Sequence, residues 1–283
     1  IVDTDSYAQD ADNIINNREY KIVSKDSGVQ DDAADMVAGR WYRVVSDDSN
    51  VQSSAQNIQV GAYYRVISTD AASSNATNID TNKTYRVTSV DAGTTSSAQS
   101  IQAGKTYRVH TNGDTNFDSF HSGASGATQF TATMDGNVLS GDGVVIQTTD
   151  FSLLNGGVNV GVGATFTANA DGGGDTGPGT VVETTDFGQF HSGGSGATTF
   201  QATSAGNGFD GPGIVVQYTN FDDYASGTNH NGVNHEFKCN ASAAGIPHTG
   251  PGKVVPFTNY MDEFNSNSNA IGTIFGLNRR ATI

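Results

Sequence analysis

The residues able to do covalent or metal chemistry are few and scattered along the chain. There is one cysteine, Cys239, so a thiol nucleophile is conceivable and an intrachain disulfide is not. Cys239 stands in the run Phe237-Lys238-Cys239-Asn240, and the related runs beginning at Phe130, Phe166 and Phe200 put Ala132, Ala168 and Ala202 in its place. The position asks for a small buried side chain, and a buried cysteine is a small hydrophobe. His121 and His191 occupy equivalent places in Phe-His-Ser-Gly-x-Ser-Gly-Ala-Thr. Repetition could set them around a metal between copies or chains. Two related repeats lack the histidine, however, so turn residues are the simpler reading. His230 and His235 lie five apart in a loop, without a Cys or acidic cluster at ligand spacing. Asn169-Ala170-Asp171-Gly-Gly-Gly-Asp175 opens like a calcium loop but lacks the acidic residue at its far end. The Ser-Gly runs at 122–126 and 192–196 read as turns, with no His and Asp placed for a triad. Paired carboxylates could cut a polysaccharide, yet Glu occurs only at 19, 183, 236 and 263, and nothing marks a cleft. The expectation is no catalytic residue, no cofactor and no metal.

What organises the chain instead is repetition, in two families. Tyr20, Tyr42, Tyr64, Tyr85 and Tyr107 are spaced 22, 22, 21 and 22 residues apart. Each is followed by a basic residue (Lys21, Arg43, Arg65, Arg86, Arg108) and then a β-branched one (Ile22, Val44, Val66, Val87, Val109). Alternation puts Tyr and the β-branched residue on one face of a strand and the basic residue on the other. Three residues before each Tyr stands Asn17, Gly39, Gly61, Asn82 or Gly104, the residue types that tolerate the positive φ of a tight turn. Six before it stands Ile14, Met36, Ile58, Ile79 or Ile101, which a hairpin places on the partner strand. Asp26, Asp48, Asp70 and Asp91 follow at a fixed step and would answer the basic ladder. Strands are predicted at 20–23, 42–45, 64–67, 85–88 and 107–110, with Tyr on the less exposed face.

The second family is longer. Val145, Val181, Val215 and Val254 each follow a Gly-x-Gly turn and precede an aromatic residue by six: Phe151, Phe187, Phe221 and Tyr260. Asp or Asn stands directly before that aromatic (Asp150, Asp186, Asn220, Asn259), and Asn116-Phe117 opens the series. The runs at Phe130, Phe166, Phe200 and Phe237 read as short strands. The fold class that follows is all-β, an elongated array of short β-hairpin repeats. Its parts are an N-terminal segment (1–13), five repeats of about 22 residues (14–113), four Gly-rich repeats of about 35 (114–260) and a tail (261–283) with weak helical character.

Composition narrows the partners. The formal net charge is −15, with 14 basic and 29 acidic residues, which argues against nucleic acid and against an anionic membrane. No stretch approaches the 18 apolar residues of a spanning helix, and none has the layout of a signal peptide. The chain opens on Ile1, consistent with processing or with residues further upstream. With hydrophobic residues at 35% and 35 glycines, many small cores fit better than one large one.

Taken together, Thr-Asp-Phe, Gly-Ala, Phe-x-Ala-Thr and Gly-x-Gly-x-Val resemble a module of virion structural and tail-fibre-like proteins of tailed phages, especially marine cyanophages. Thr185-Asp186-Phe187 begins the cleanest copy, and Gly104-Lys105-Thr106-Tyr107-Arg108-Val109 is similar to the strand that precedes it in those modules. The resemblance spans about residues 100–260 and, through the strand alone, 14–113. Leu153-Leu154-Asn155-Gly156-Gly157 and Tyr224-Ala225-Ser226-Gly227 depart from it by replacing Phe-His-Ser-Gly. It implies a structural role in an extracellular particle, a fibre or shaft that assembles with copies of itself, as a trimer or filament, and with other virion proteins. A host surface glycan is a further conceivable partner. The alternative is a bacterial adhesin or surface filament that binds glycans, and a depolymerase tailspike is a third reading.

Overall fold

The computed structural model describes residues 10–15, 18–138, 141–174, 176–194, 196–209, 211–228, 230–241 and 249–276. In the short repeats the strands are β1 (Glu19–Lys21), β2 (Asp31–Asp32), β3 (Trp41–Ser46), β4 (Asp48–Ser54), β5 (Tyr63–Ser68), β6 (Asp70–Asn75), β7 (Thr84–Ser89), β8 (Asp91–Ser97) and β9 (Thr106–Thr111). The long repeats supply β10 (Gln129–Thr131), β11 (Val144–Thr148), β12 (Thr165–Thr167), β13 (Thr180–Thr184), β14 (Thr199–Gln201), β15 (Ile214–Tyr218), β16 (Glu236–Lys238) and β17 (Lys253–Phe257), and the tail supplies β18 (Ile274–Gly276). One short helix, α1 (Tyr260–Phe264), begins at the edge of the tail where helical character was expected. Among the described residues every strand pairing is antiparallel.

Among the described residues the strands form five separate sheets; each four-stranded sheet draws on both repeat families, and the two-stranded one joins the first short repeat to the tail. The orders are β1-β18, β16-β3-β17-β2, β14-β5-β15-β4, β12-β7-β13-β6 and β10-β9-β11-β8. These are layers one to five. The chain climbs from layer one to layer five through the short repeats and descends through the long ones, so the first long repeat completes the last short one. The two central strands of each four-stranded layer carry its aligned apolar residues. Val44, Val66, Val87 and Val109 lie opposite Val254, Val215, Val181 and Val145. Each layer closes its own cluster of buried apolar residues. The accessible surface is 15622 Å². A compact monomer of 29.4 kDa would expose about 11,500 Å², so the array is elongated.

Four of the five expected Tyr strands are present in full, and Tyr42, Tyr64, Tyr85 and Tyr107 are buried; the first is shorter than the expected 20–23, ending at Lys21, and its Tyr20 is half-buried. The turns before them take positive φ at Gly39, Gly61, Asn82 and Gly104; Asn17 lies outside the described residues. Each of these Tyr hydroxyls accepts a hydrogen bond from the backbone N–H five residues earlier, at Val37, Gln59, Asp80 and Gln102, which pins the turn to the strand. One detail differs from expectation. Met36, Ile58, Ile79 and Ile101 do not sit on a partner strand. They follow 3-10 turns at Ala33–Asp35, Ala55–Asn57, Ala76–Asn78 and Ala98–Ser100 and point into the core. The strand beside Tyr comes from a long repeat, because Val-rich β11, β13, β15 and β17 bury more apolar surface there than a Ser- and Asp-rich neighbour would.

The single spacing of 21 also has a structural origin. In β4, Ser49, Asn50 and Val51 lie opposite Gln217 alone, and in β8, Ala92, Gly93 and Thr94 lie opposite Gln147. These bulges place Asn50 and Gly93 at positive φ. In β6 only Ala71 and Ala72 oppose Glu183. The residue missing between Tyr64 and Tyr85 is thus the left-handed one, a conformation in which Asn and Gly are favoured over alanine.

Candidate functional site

The residues singled out for chemistry are engaged in packing and turns within single layers. Cys239 is fully buried in the core of layer two, and burial pushes its thiol pKa up. Its backbone N–H donates to Arg40 and its carbonyl accepts from Gly39. Ala132, Ala168 and Ala202 make the same pair of bonds with Lys105 and Gly104, Lys83 and Asn82, and Ala62 and Gly61. A deprotonated nucleophile is disfavoured in such a setting.

His121 and His191 do sit equivalently, but in layers five and three, with a layer between them. Each ring accepts a backbone hydrogen bond at Nδ1, from Gly123 and Gly193 at 3.0 and 2.8 Å, and stacks on Phe130 or Phe200. They shape the Ser-Gly turn. Where the histidine is missing, Asn159 and Asn231 do comparable work by accepting from the N–H of Phe151 and Phe221. His230 pairs with Asp222 at 2.9 Å. Asp171 of the calcium-like run accepts instead from the N–H and hydroxyl of Thr81, at 2.7 and 2.6 Å; Asp175 lies outside the described residues. Among the described residues no group of three or more His, Cys, Asp or Glu is placed to hold a metal ion, and no helix is long and apolar enough to cross a membrane.

The basic ladder meets the repeated Asp as expected. Arg43, Arg65, Arg86 and Arg108 pair with Asp26, Asp48, Asp70 and Asp91, in each case 16 or 17 residues earlier. Arg65 bonds Asp48 at 2.8 Å and Asp47 at 3.1 Å. Burial alone would raise the Asp70 pKa, but hydrogen bonds from Thr184 and Arg86 outweigh it and hold the carboxyl below its usual range. Asp223 goes the other way, raised mainly by burial.

Two repeating contacts escaped the sequence reading. The first is a latch. Thr115, Thr149, Thr185 and Thr219 are buried, and each accepts through Oγ1 from the N–H of Gly143, Gly179, Gly213 or Gly252, at 2.6–2.8 Å. The same four Gly admit no Cβ: one on Gly213 would lie 2.6 Å from Thr185 Oγ1 and 2.7 Å from the Phe187 ring. The second is Ala33, Ala55, Ala76 and Ala98, whose spacing repeats that of the tyrosines. Their N–H groups donate to the carbonyls of those same glycines, and Gly136, Gly172 and Gly206 pack against the last three at distances that exclude a side chain. The Thr-Asp-Phe and Gly-x-Gly patterns contained the first latch; what hid it was that its halves lie 28 to 33 residues apart.

A cleft of about 540 Å³ lies between layers three and four. Threonines supply much of its wall, from Thr69, Thr185 and Thr198 of layer three and Thr84, Thr165, Thr167 and Thr184 of layer four. Phe166 and Phe187 back it, and Asp186 adds the one carboxylate. No protein-family model, no curated protein and no solved structure matches this chain. What stands is a repetitive, elongated β-sheet architecture.

Proposed function

We propose that this chain is a non-catalytic structural component, a fibre- or shaft-like part of a tailed-phage particle that assembles with copies of itself. The observation that carries this reading is how the repeated polar residues are used. Tyr hydroxyls, Arg–Asp pairs, Thr–Gly latches and Asp or Asn turn caps each recur from layer to layer, bonded to the chain's own backbone or to one another. Regularity of that kind builds length. The resemblance of Thr185-Asp186-Phe187 and its companions to tail-fibre-like modules supports the particle.

Self-association rests on the sheet edges. β4, β6 and β8 form one edge of layers three, four and five, and their residues are exposed or half-buried and mostly small and polar. Such edges offer unpaired backbone groups to another chain. Two measurements test the proposal. Antibody labelling of negatively stained virions should decorate a projecting element, whereas labelling confined to a bacterial surface would favour a glycan-binding adhesin. Sedimentation at micromolar concentration should show an oligomer, and a cooperatively melting monomer at every concentration would sink the assembly argument.

A further inference from the structure

The cleft between layers three and four exists because of two substitutions within the repeat. The residue before each layer's Tyr lies beside the third residue after its central Val. In layer two these are Trp41 and Phe257, in register and with ring centroids 5.9 Å apart. In layer three they are Tyr63 and Tyr218, 5.7 Å apart. Both pairs reach the layer below: Trp41 Nε1 donates to Asp262 and the Tyr63 hydroxyl to Asp223, each at 3.3 Å. In layer four the same two places hold Thr84 and Thr184, and both line the cleft. In layer five they are Thr106 and Thr148, and both are buried. Layer four is therefore the one that sets small side chains at this place and leaves them accessible.

We propose that this cleft binds an aromatic ring with a polar substituent, a phenol or an indole, in the place that layers two and three fill with their own rings. The chemistry of the walls fits. Phe166 and Phe187 are 5% and 3% exposed, so apolar contact with the incoming ring falls mainly to Val66, Ala197 and the threonine methyl groups of the wall. Threonine hydroxyls and the Asp186 carboxylate, which also caps the Gly188 N–H, supply acceptors for the phenol or indole hydrogen; the place that Asp223 and Asp262 hold for Tyr63 and Trp41 is taken here by Gln189. The source is a free small aromatic or a Tyr or Trp side chain presented by a polypeptide.

The test is titration of the whole chain with p-cresol and with the peptide Gly-Tyr-Gly, followed by backbone amide NMR shifts. Saturable p-cresol binding with a Kd of about 1 mM or tighter, an affinity reasonable for so small a ligand, is expected to shift residues 84, 166, 184 and 187. Binding of the peptide as well assigns the site to a polypeptide side chain; binding of p-cresol alone assigns it to free aromatics. The double variant Thr84→Tyr/Thr184→Tyr copies layer three and should weaken binding at least about tenfold, with the single variant Thr84→Tyr as a second arm if the double variant fails to fold. The proposal is overturned if p-cresol produces no saturable shift up to about 10 mM, roughly ten times that Kd. It is equally overturned if 4-methylcyclohexanol, an aliphatic ring of the same shape, binds as well, or if a folded filled variant binds unchanged.

Discussion

At the scale of single residues, the recurring Tyr and Thr hydroxyls each accept from a backbone N–H that would otherwise go without a protein partner, while the recurring Arg and Asp answer one another. Thr185 is the clearest instance. Replacing it with Val keeps the shape but leaves the buried Gly213 N–H unpaired, and should cost about 1–3 kcal/mol in chemical denaturation. A cost near zero would mean that water replaces the hydroxyl. Asp70 carries a pH dependence. Its carboxyl is held below the unfolded value of about 3.9, so its contribution to stability is present above that pH and is lost as pH falls through the lower folded pKa. The urea midpoint of the native chain should therefore drop more steeply below about pH 4 than that of Asp70→Asn. Parallel profiles would remove Asp70 from the account. The role of Cys239 was legible beforehand, since three aligned alanines already described its site. The latch was not, because a Thr and a Gly in separate motifs carry no sign that they meet.

At the scale of elements, the short repeat works by turning rather than by pairing with itself. A 3-10 turn brings Ala close to a glycine, the following Ile drops into the core, a left-handed Gly or Asn reverses the chain, and Tyr closes the turn with its hydroxyl. Each long repeat adds a capped turn that starts on a buried aromatic. Asn116, Asp150 and Asp186 accept from the N–H two residues on, as N-caps do. Phe187 is 3% exposed and contacts Phe190 and Phe200 in the core of layer three. Phe187→Ala should cost about 3–5 kcal/mol. Hydrogen exchange should rise in residues 186–218 and also in 48–68, which share that layer, while layers one and five stay protected. A uniform rise across the array would contradict independent layer cores. The strands at each Tyr and the glycine turns could be placed from alternation and residue type alone. The position of Ile could not, since an apolar residue before a turn serves a hairpin strand and a 3-10 turn equally well.

At the scale of the whole molecule, the two repeat families are not self-sufficient. In layers three to five the middle strand pair always joins a short repeat to a long one: β5 to β15, β7 to β13 and β9 to β11. Removing residues 114–276 takes away the strand that separates β4 from β5, β6 from β7 and β8 from β9. A fragment of residues 14–113 should therefore lack β structure by circular dichroism, and mixing it with a fragment of residues 114–276 should restore the signal. A well-folded 14–113 fragment would show that the short repeats pair with one another in solution. The same nesting makes nearly every layer contact long-range. Closing layer two, for example, requires residues 41 and 257 to meet. Long-range pairing of this kind predicts slow folding for a chain of its size.

The amino-acid sequence by itself determined the all-β class, the two repeat lengths, the buried Tyr faces, the Arg–Asp ladder and the structural role of the Cys239 position. All of these depend on local alternation, residue size and turn chemistry, which act over a few residues and are visible in any one repeat. Tertiary structure alone decided which repeat lies beside which, and hence the Thr–Gly latches and the cleft beside Thr84 and Thr184. A strand face that needs covering does not name its partner. Each Val-rich strand fits any Tyr strand by pattern, and the chain's return path, laid down layer by layer from the reversal after β9, selects among them.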